Sequence, residues 1–221
     1  MKKRTTCILI GITTALFALG LGAWWLAGLT PSWYAPVEPD DPAAIAIGQT
    51  AEYRLVEEFQ KIRPPDDVWR LRIPEDAINA WLATRLPQWL DGQGMSWPDG
   101  LGTPQVHIAP SGIVIGVPNS SVGGRMTTLR LKPKIVGNQL HCAVSAGVGR
   151  LPIPIAIVGI DVELDESSNS EDPLRYLQKL LNGHSIDALI PLVDRRIVTI
   201  QAVDLENESM IVKAATSLTK P

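Results

Sequence analysis

The sequence predicts an α+β protein: an N-terminal transmembrane helix followed by a curved antiparallel sheet (half-barrel) wrapped on an amphipathic helix. Three observations carry this expectation. The run Cys7–Leu29 holds 23 residues without a charge. The stretch Ile78, Trp81, Leu82, Leu86, Trp89, Leu90 repeats at helical spacing. From residue 105 onward the apolar period drops to two, the signature of half-buried strands.

The apolar run comes first. At 1.5 Å per residue it reaches about 35 Å, enough to cross a hydrocarbon core of roughly 30 Å with some tilt. Lys2, Lys3 and Arg4 precede it and the first charge after it is Glu38, so the positive-inside rule leaves the N-terminus (1–6) in the cytoplasm and the remainder outside. Trp24, Trp25, Trp33 and Tyr34 cluster at the far end, where amphipathic rings favour the head-group layer. A cleaved signal peptide with a site near Gly22-Ala23 is the competing reading. Its apolar region is ordinarily about 7–15 residues, and a Trp-Trp pair begins a mature chain poorly.

Residues 30–42 contain four prolines and read as a stiff acidic stalk before an exported domain over 43–221. In that domain 43–62 is expected to be helical and 68–73 a strand. Pro74 then opens a helix over 75–90, where Glu75 and Asp76 suit the positive dipole end and Pro87 ends or kinks the run. Residues 91–104 form a Gly/Pro loop carrying Met95, Trp97 and Leu101. Strands are expected over 105–109, 112–118, 121–132, 134–148 and 153–164, with turns at Pro110-Ser111-Gly112 and Val136–Gln139. Gly123-Gly124 reads as a bulge in mid-strand. A loop over 165–172, a helix over 173–190 and a hairpin of 195–203 with 210–215 complete the chain.

The chain carries a formal net charge of −3, and its first basic cluster contributes +3, so the rest sums to −6. That balance, without further basic clusters, excludes nucleic acid as a partner. Cys7 and Cys142 fall on opposite sides of the membrane and cannot pair. His107, His141 and His184 lie in separate elements, so no metal set is expected. Gly183-His184-Ser185-Ile186-Asp187 holds the letters of a triad, but adjacency is not triad geometry. No cofactor and no catalytic residue is expected. Of Asp194-Arg195-Arg196, the cations either bind a lipid phosphate or pair with Asp194 and neighbouring strands.

Three segments carry a resemblance. Pro74-Glu-Asp-Ala-Ile-Asn79-Ala-Trp81-Leu82-Ala is similar to the proline/threonine-glutamate helix of small anchored bacterial proteins of the YpmS-like and LmeA-like type. Gly149-Arg150-Leu151-Pro152-Ile153-Pro154 resembles their strand entry, and Asp194-Arg195-Arg196-Ile-Val fits their closing hairpin. Pro74 stands where those proteins carry a polar cap. The resemblance implies a tubular lipid-binding (TULIP-like) fold with an apolar groove, and lipid or envelope-glycolipid handling without catalysis. Membrane lipid is then the expected ligand, lined by Ile78, Trp81, Leu82 and Leu86 with Ile113 and Ile115, or Val114 in the opposite register. The alternative is an envelope scaffold with a solid core, protein partners and no ligand.

Overall fold

The structure, a computed structural model, describes residues 2–64, 67–153, 179–180 and 182–218, with the side chains of residues 1–13 and 15 outside that description. The described residues form four α-helices and two antiparallel sheets, an α+β arrangement. α1 (Lys2–Ala27) is followed by α2 (Pro42–Gln60), β1 (Val68–Pro74), α3 (Glu75–Thr84) and α4 (Leu86–Gly92). Strands β2 (Gln105–Ala109), β3 (Gly112–Asn119), β4 (Arg125–Val136), β5 (Gln139–Val148) and β6 (Leu151–Ile153) follow. The chain closes with β7 (Ile186–Asp187), β8 (Leu189–Pro191), β9 (Arg196–Glu206) and β10 (Ser209–Leu218).

Strands β2-β3-β4-β5-β6 make a six-stranded sheet that also takes in β7, and β1-β10-β9-β8 make a four-stranded one. Among the described residues neither closes into a barrel. Ala188 links the two sheets. Its N–H donates to Asn138 O at 2.8 Å, and its carbonyl accepts from the Ile200 N–H at 2.8 Å. The helix expected over 173–190 is therefore corrected: of its described part only 179–180 is helical, and 186–187 and 189–191 are strands on either side of Ala188. Ile186, Leu189 and Ile190 match a helical spacing, but pairing with β5 and β9 takes their backbone groups. The 153–164 strand lies outside the described residues beyond Ile153, as does the loop over 165–172. Gly123 and Gly124, at φ 72° and 74°, sit in a turn after a 3₁₀ segment (Ser120–Val122) and not in a mid-strand bulge.

The helix expected over 75–90 is two helices broken at Arg85. Pro87 has no N–H to give and its ring crowds the carbonyl four residues back, so the first helix ends before it. α3 lies along the free edge of β2 and completes it. Val106 N–H donates to Asn79 Oδ1 (2.7 Å), Asn79 Nδ2 donates to Val106 O (2.9 Å), and Ile108 N–H donates to Glu75 Oε2 (2.6 Å). Glu75 and Asn79 are one helical turn apart, the spacing that lets two side chains reach one strand edge. Glu75 is thus an edge cap, a role beyond the dipole complementation read from sequence.

Trp69, Val198 and Ala214 form a core against which Phe59, Leu71, Ile190 and Leu192 pack. α2 crosses α3 where Gly48 meets Ala80 and Thr84: a Cβ at Gly48 would stand 2.8 Å from Thr84 Oγ1 and 3.3 Å from the Ala80 backbone. Gly48→Val is expected to destabilise the fold by about 1–3 kcal/mol, read as a lower urea midpoint with an unchanged slope. An unchanged midpoint would refute this close crossing. Cys142 is half-buried on the strand face of Ile113 and Leu131, and burial pushes its thiol up.

α1 is one helix of 26 residues. Over its described side chains, Thr14 and Leu16 onward, and over the other described helices, none is long and apolar enough to cross a membrane. Leu16, Phe17, Leu19, Leu21, Trp24 and Trp25 are exposed.

Candidate functional site

The site grows from an alternation in β4. Thr128, Arg130, Lys132 and Lys134 occupy every second position and so share one face of the six-stranded sheet. Across the ladder the neighbours of the first three are small or apolar, while Lys134 faces His141. Arg130 lies between Val114 and Ser145, Lys132 faces Ala143, and Thr128 faces Gly147. Small residues keep the floor low while the cations rise beside it.

Two segments build walls over this floor, and both meet the end of α1. The first is Pro31–Trp33, immediately after the helix. Trp33 stacks on His107 with ring centroids 5.5 Å apart and planes inclined by 14°. The ring covers Gly116, where a Cβ would come 2.6 Å from Trp33 Cη2. Tyr34 Oη donates to Thr103 O at 2.8 Å and Ala35 N–H donates to Gln105 Oε1 at 2.7 Å. The first part of the segment read as a stiff stalk is fastened along the sheet, with Trp33 and Tyr34 half-buried. Trp24 and Trp25 remain two-thirds exposed, and the Arg125 guanidinium sits 3.6 Å above the Trp24 ring.

The second wall is Gly149–Pro152. Arg150 N–H donates to Leu26 O at 3.0 Å, satisfying one of the carbonyls a helix end leaves open. Gly149 has φ 58° and its missing Cβ would meet Ala27 O at 2.5 Å, so the position requires glycine both for its backbone and for its space. Between the walls lies a groove of about 880 Å³. Its lining includes His107, Arg130, Lys132 and Arg150 together with the hydroxyl residues Ser32, Ser111, Thr128 and Ser145. Among the described residues no aspartate or glutamate lines it. Among the described residues Arg130, Lys132 and Arg150 have no ion-pair partner. His107 faces the groove with its ring, and its Nδ1 lies 3.3 Å from the Glu75 carboxylate.

No family model matches the chain, and neither does any curated protein or any solved structure.

None of the six residues expected to line an apolar groove lines this one. Ile113 and Ile115 pair with Ile108 and Val106 of β2 and with Leu131 and Leu129 of β4, on the opposite face of the same sheet. Ile78, Trp81, Leu82 and Leu86 are half-buried, while the fully buried positions of α3 are Asn79, Ala80, Ala83 and Thr84. Val114, the residue of the opposite register, does line the groove. Arg196 pairs with Asp194 at 2.7 Å and donates to Lys61 O and Gln60 O at the end of α2, so this cation serves the fold. Asp187, from the triad-like letters, accepts a hydrogen bond from Gln139 Nε2 at 2.5 Å.

The basic groove is only partly legible in the sequence. Arg130-Leu-Lys132-Pro-Lys134 alternates charge with apolar residues at a strand's period. Three cations in five residues on one face is a local concentration that overall net charge hides. Arg150 and Trp33 carried no comparable signal, because only the tertiary fold brings them to β4.

Proposed function

We propose that this chain is a membrane-tethered, non-catalytic domain that binds membrane lipid on the extracytoplasmic side. The observation that carries the reading is the fastening of α1 to the rim of the groove, through Arg150 N–H and Leu26 O at 3.0 Å. A groove held at the end of an uncharged helical run opens at the level where that run leaves a bilayer. The basic cluster before Cys7 and the acidic residues after Leu29 support an N-terminus in the cytoplasm of a single-pass inner-membrane protein. Exposed Trp24 and Trp25 suit the head-group layer.

The resemblance to YpmS-like and LmeA-like proteins, with a TULIP-like half-barrel, belongs to the same reading. The two sheets joined at Ala188 are compatible with part of a tubular wall. The ligand is assigned to the basic groove, because an acyl chain against Ile113 and Ile115 would lie on the other side of the sheet from it.

Full-length protein should stay in the membrane pellet under alkaline carbonate and release bound lipid in native mass spectrometry from an uncharged detergent. Extraction by carbonate, or recovery free of lipid, overturns the proposal. The scaffold reading draws on one feature, the exposed Ile47, Tyr53, Leu55 and Val56 of α2. Crosslinking in membranes would then return a stoichiometric protein partner in place of lipid.

A further inference from the structure

We infer that the groove recognises a phosphate monoester, and that a lipid head group presents it. The second half rests on the lipid-binding reading above; the first half stands on the groove alone.

The four-stranded sheet provides an internal comparison. Two of its outward cations are paired with acidic neighbours, Arg72 with Glu206 at 3.2 Å and Lys213 with Asp204 at 2.7 Å, and Arg70 is the third cation on that face. That is how an ordinary solvated sheet face balances its charge. The outward face of β4 is built differently. Arg130 and Lys132 stand two residues apart, about 6.6 Å along the strand, with only Val114, Ser145 and Ala143 across the ladder. Arg150 adds a third cation from the opposite wall. A chain of net charge −3 has thus gathered at least three positive charges around one concavity that, among the described residues, has no carboxylate in its lining.

A bound anion relieves this like-charge repulsion. Guanidinium groups match phosphate oxygens in fork geometry, and a lysine supplies a compact point charge. The hydroxyls of Thr128 and Ser145 lie on the same floor and add neutral donors to further phosphate oxygens. A dianionic monoester uses three cations more fully than a zwitterionic diester does. The groove's about 880 Å³ falls in the size range of small-ligand sites, room for more than a bare ion. Three cations are too few for a nucleic-acid track, where many phosphates must be neutralised together.

The test uses the full chain in uncharged detergent, titrated calorimetrically with dihexanoyl phosphatidic acid, dihexanoyl phosphatidylcholine and inorganic phosphate. Saturable binding of phosphatidic acid is expected, with phosphatidylcholine weaker by at least about ten-fold. The double variant R130A/K132A is expected to weaken phosphatidic acid binding by about ten-fold or more. Arg70→Ala, which removes a cation from the outward face of the other sheet, should change it by less than about two-fold. Both altered groove side chains are exposed, so folding of the variants is checked by an unchanged circular dichroism spectrum and melting curve.

Equal affinity for the two lipids, or indifference to R130A/K132A, overturns the phosphate assignment. Lipid recovered from the native protein in that case leaves the lipid-binding reading standing. Inorganic phosphate binding as tightly as phosphatidic acid supports the phosphate site and overturns the lipid source. Absence of binding by all three overturns the inference whole.

Discussion

Trp69→Ala should cost about 3–5 kcal/mol of folding free energy, the largest single-residue effect expected in this protein. The indole is 7% exposed and sits beside Val198 and Ala214, both fully buried. Phe59 of α2 meets it edge to face at 5.6 Å, and the Arg63 guanidinium lies 4.2 Å from its ring centroid. Its Nε1 donates to Thr216 Oγ1 at 3.0 Å, and Thr216 is itself buried. Removing the ring therefore opens a large cavity, strands the Thr216 hydroxyl and removes the contact of Phe59 in α2 with the four-stranded sheet. Trp69→Phe keeps most of the apolar volume and loses the hydrogen bond, so its penalty should fall to roughly 1–2 kcal/mol. Urea denaturation of the full chain, followed by circular dichroism, separates the two. Equal and small penalties would show that Trp69 is not the centre of this core.

The second large effect is expected at Asn79. Its amide meets both backbone groups of Val106, and it is 6% exposed. Asn79→Ala leaves a buried donor and a buried acceptor on the β2 edge without partners, a loss of roughly 2–4 kcal/mol. Asn79→Asp is the sharper control. The carboxylate can still accept from the Val106 N–H, but it places an anion against the Val106 carbonyl and cannot donate to it. It should be no better than alanine, whereas an amide used only for volume would tolerate the change. Hydrogen exchange gives a local readout: the Val106 and Ile108 amides should lose protection in Asn79→Ala before the four-stranded sheet does. Retained protection at Val106 would refute the edge-cap role.

These two positions show how unevenly the sequence discloses the fold. Trp69 alternates with Leu71 and Ile73 against Arg70 and Arg72, so its inward direction could be read from the chain. The hairpin of β2 and β3, that of β4 and β5, and the closing pair β9 and β10 were equally legible, since each depends on period-two patterning and a nearby turn. Asn79 was legible only as a polar residue in a helix. Its partner is 27 residues away on a strand edge, and nothing local to residue 79 specifies that edge. The same holds for 186–191, whose apolar spacing suits a helix until β5 and β9 offer backbone partners on either side.

The candidate site divides along the same line. Arg130 and Lys132 share a strand face because side chains alternate along a strand, and that is a property of sequence spacing. Their meeting with Arg150, His107 and Trp33 depends on how strands are ordered across the sheet and on where the chain after α1 is laid down.

By itself, the sequence determined the elements whose cause is local: the uncharged N-terminal run, the amphipathic helix that starts after Pro74, and the antiparallel hairpins. Tertiary structure decided the helix break at Arg85, the strand that changes sheets at Ala188, the fastening of residues 31–35 and the enclosure of the basic groove. Periodicity reports which way a side chain faces, because that follows from backbone geometry a few residues long. It is silent on what the side chain faces, because that is fixed by pairings made across the whole chain.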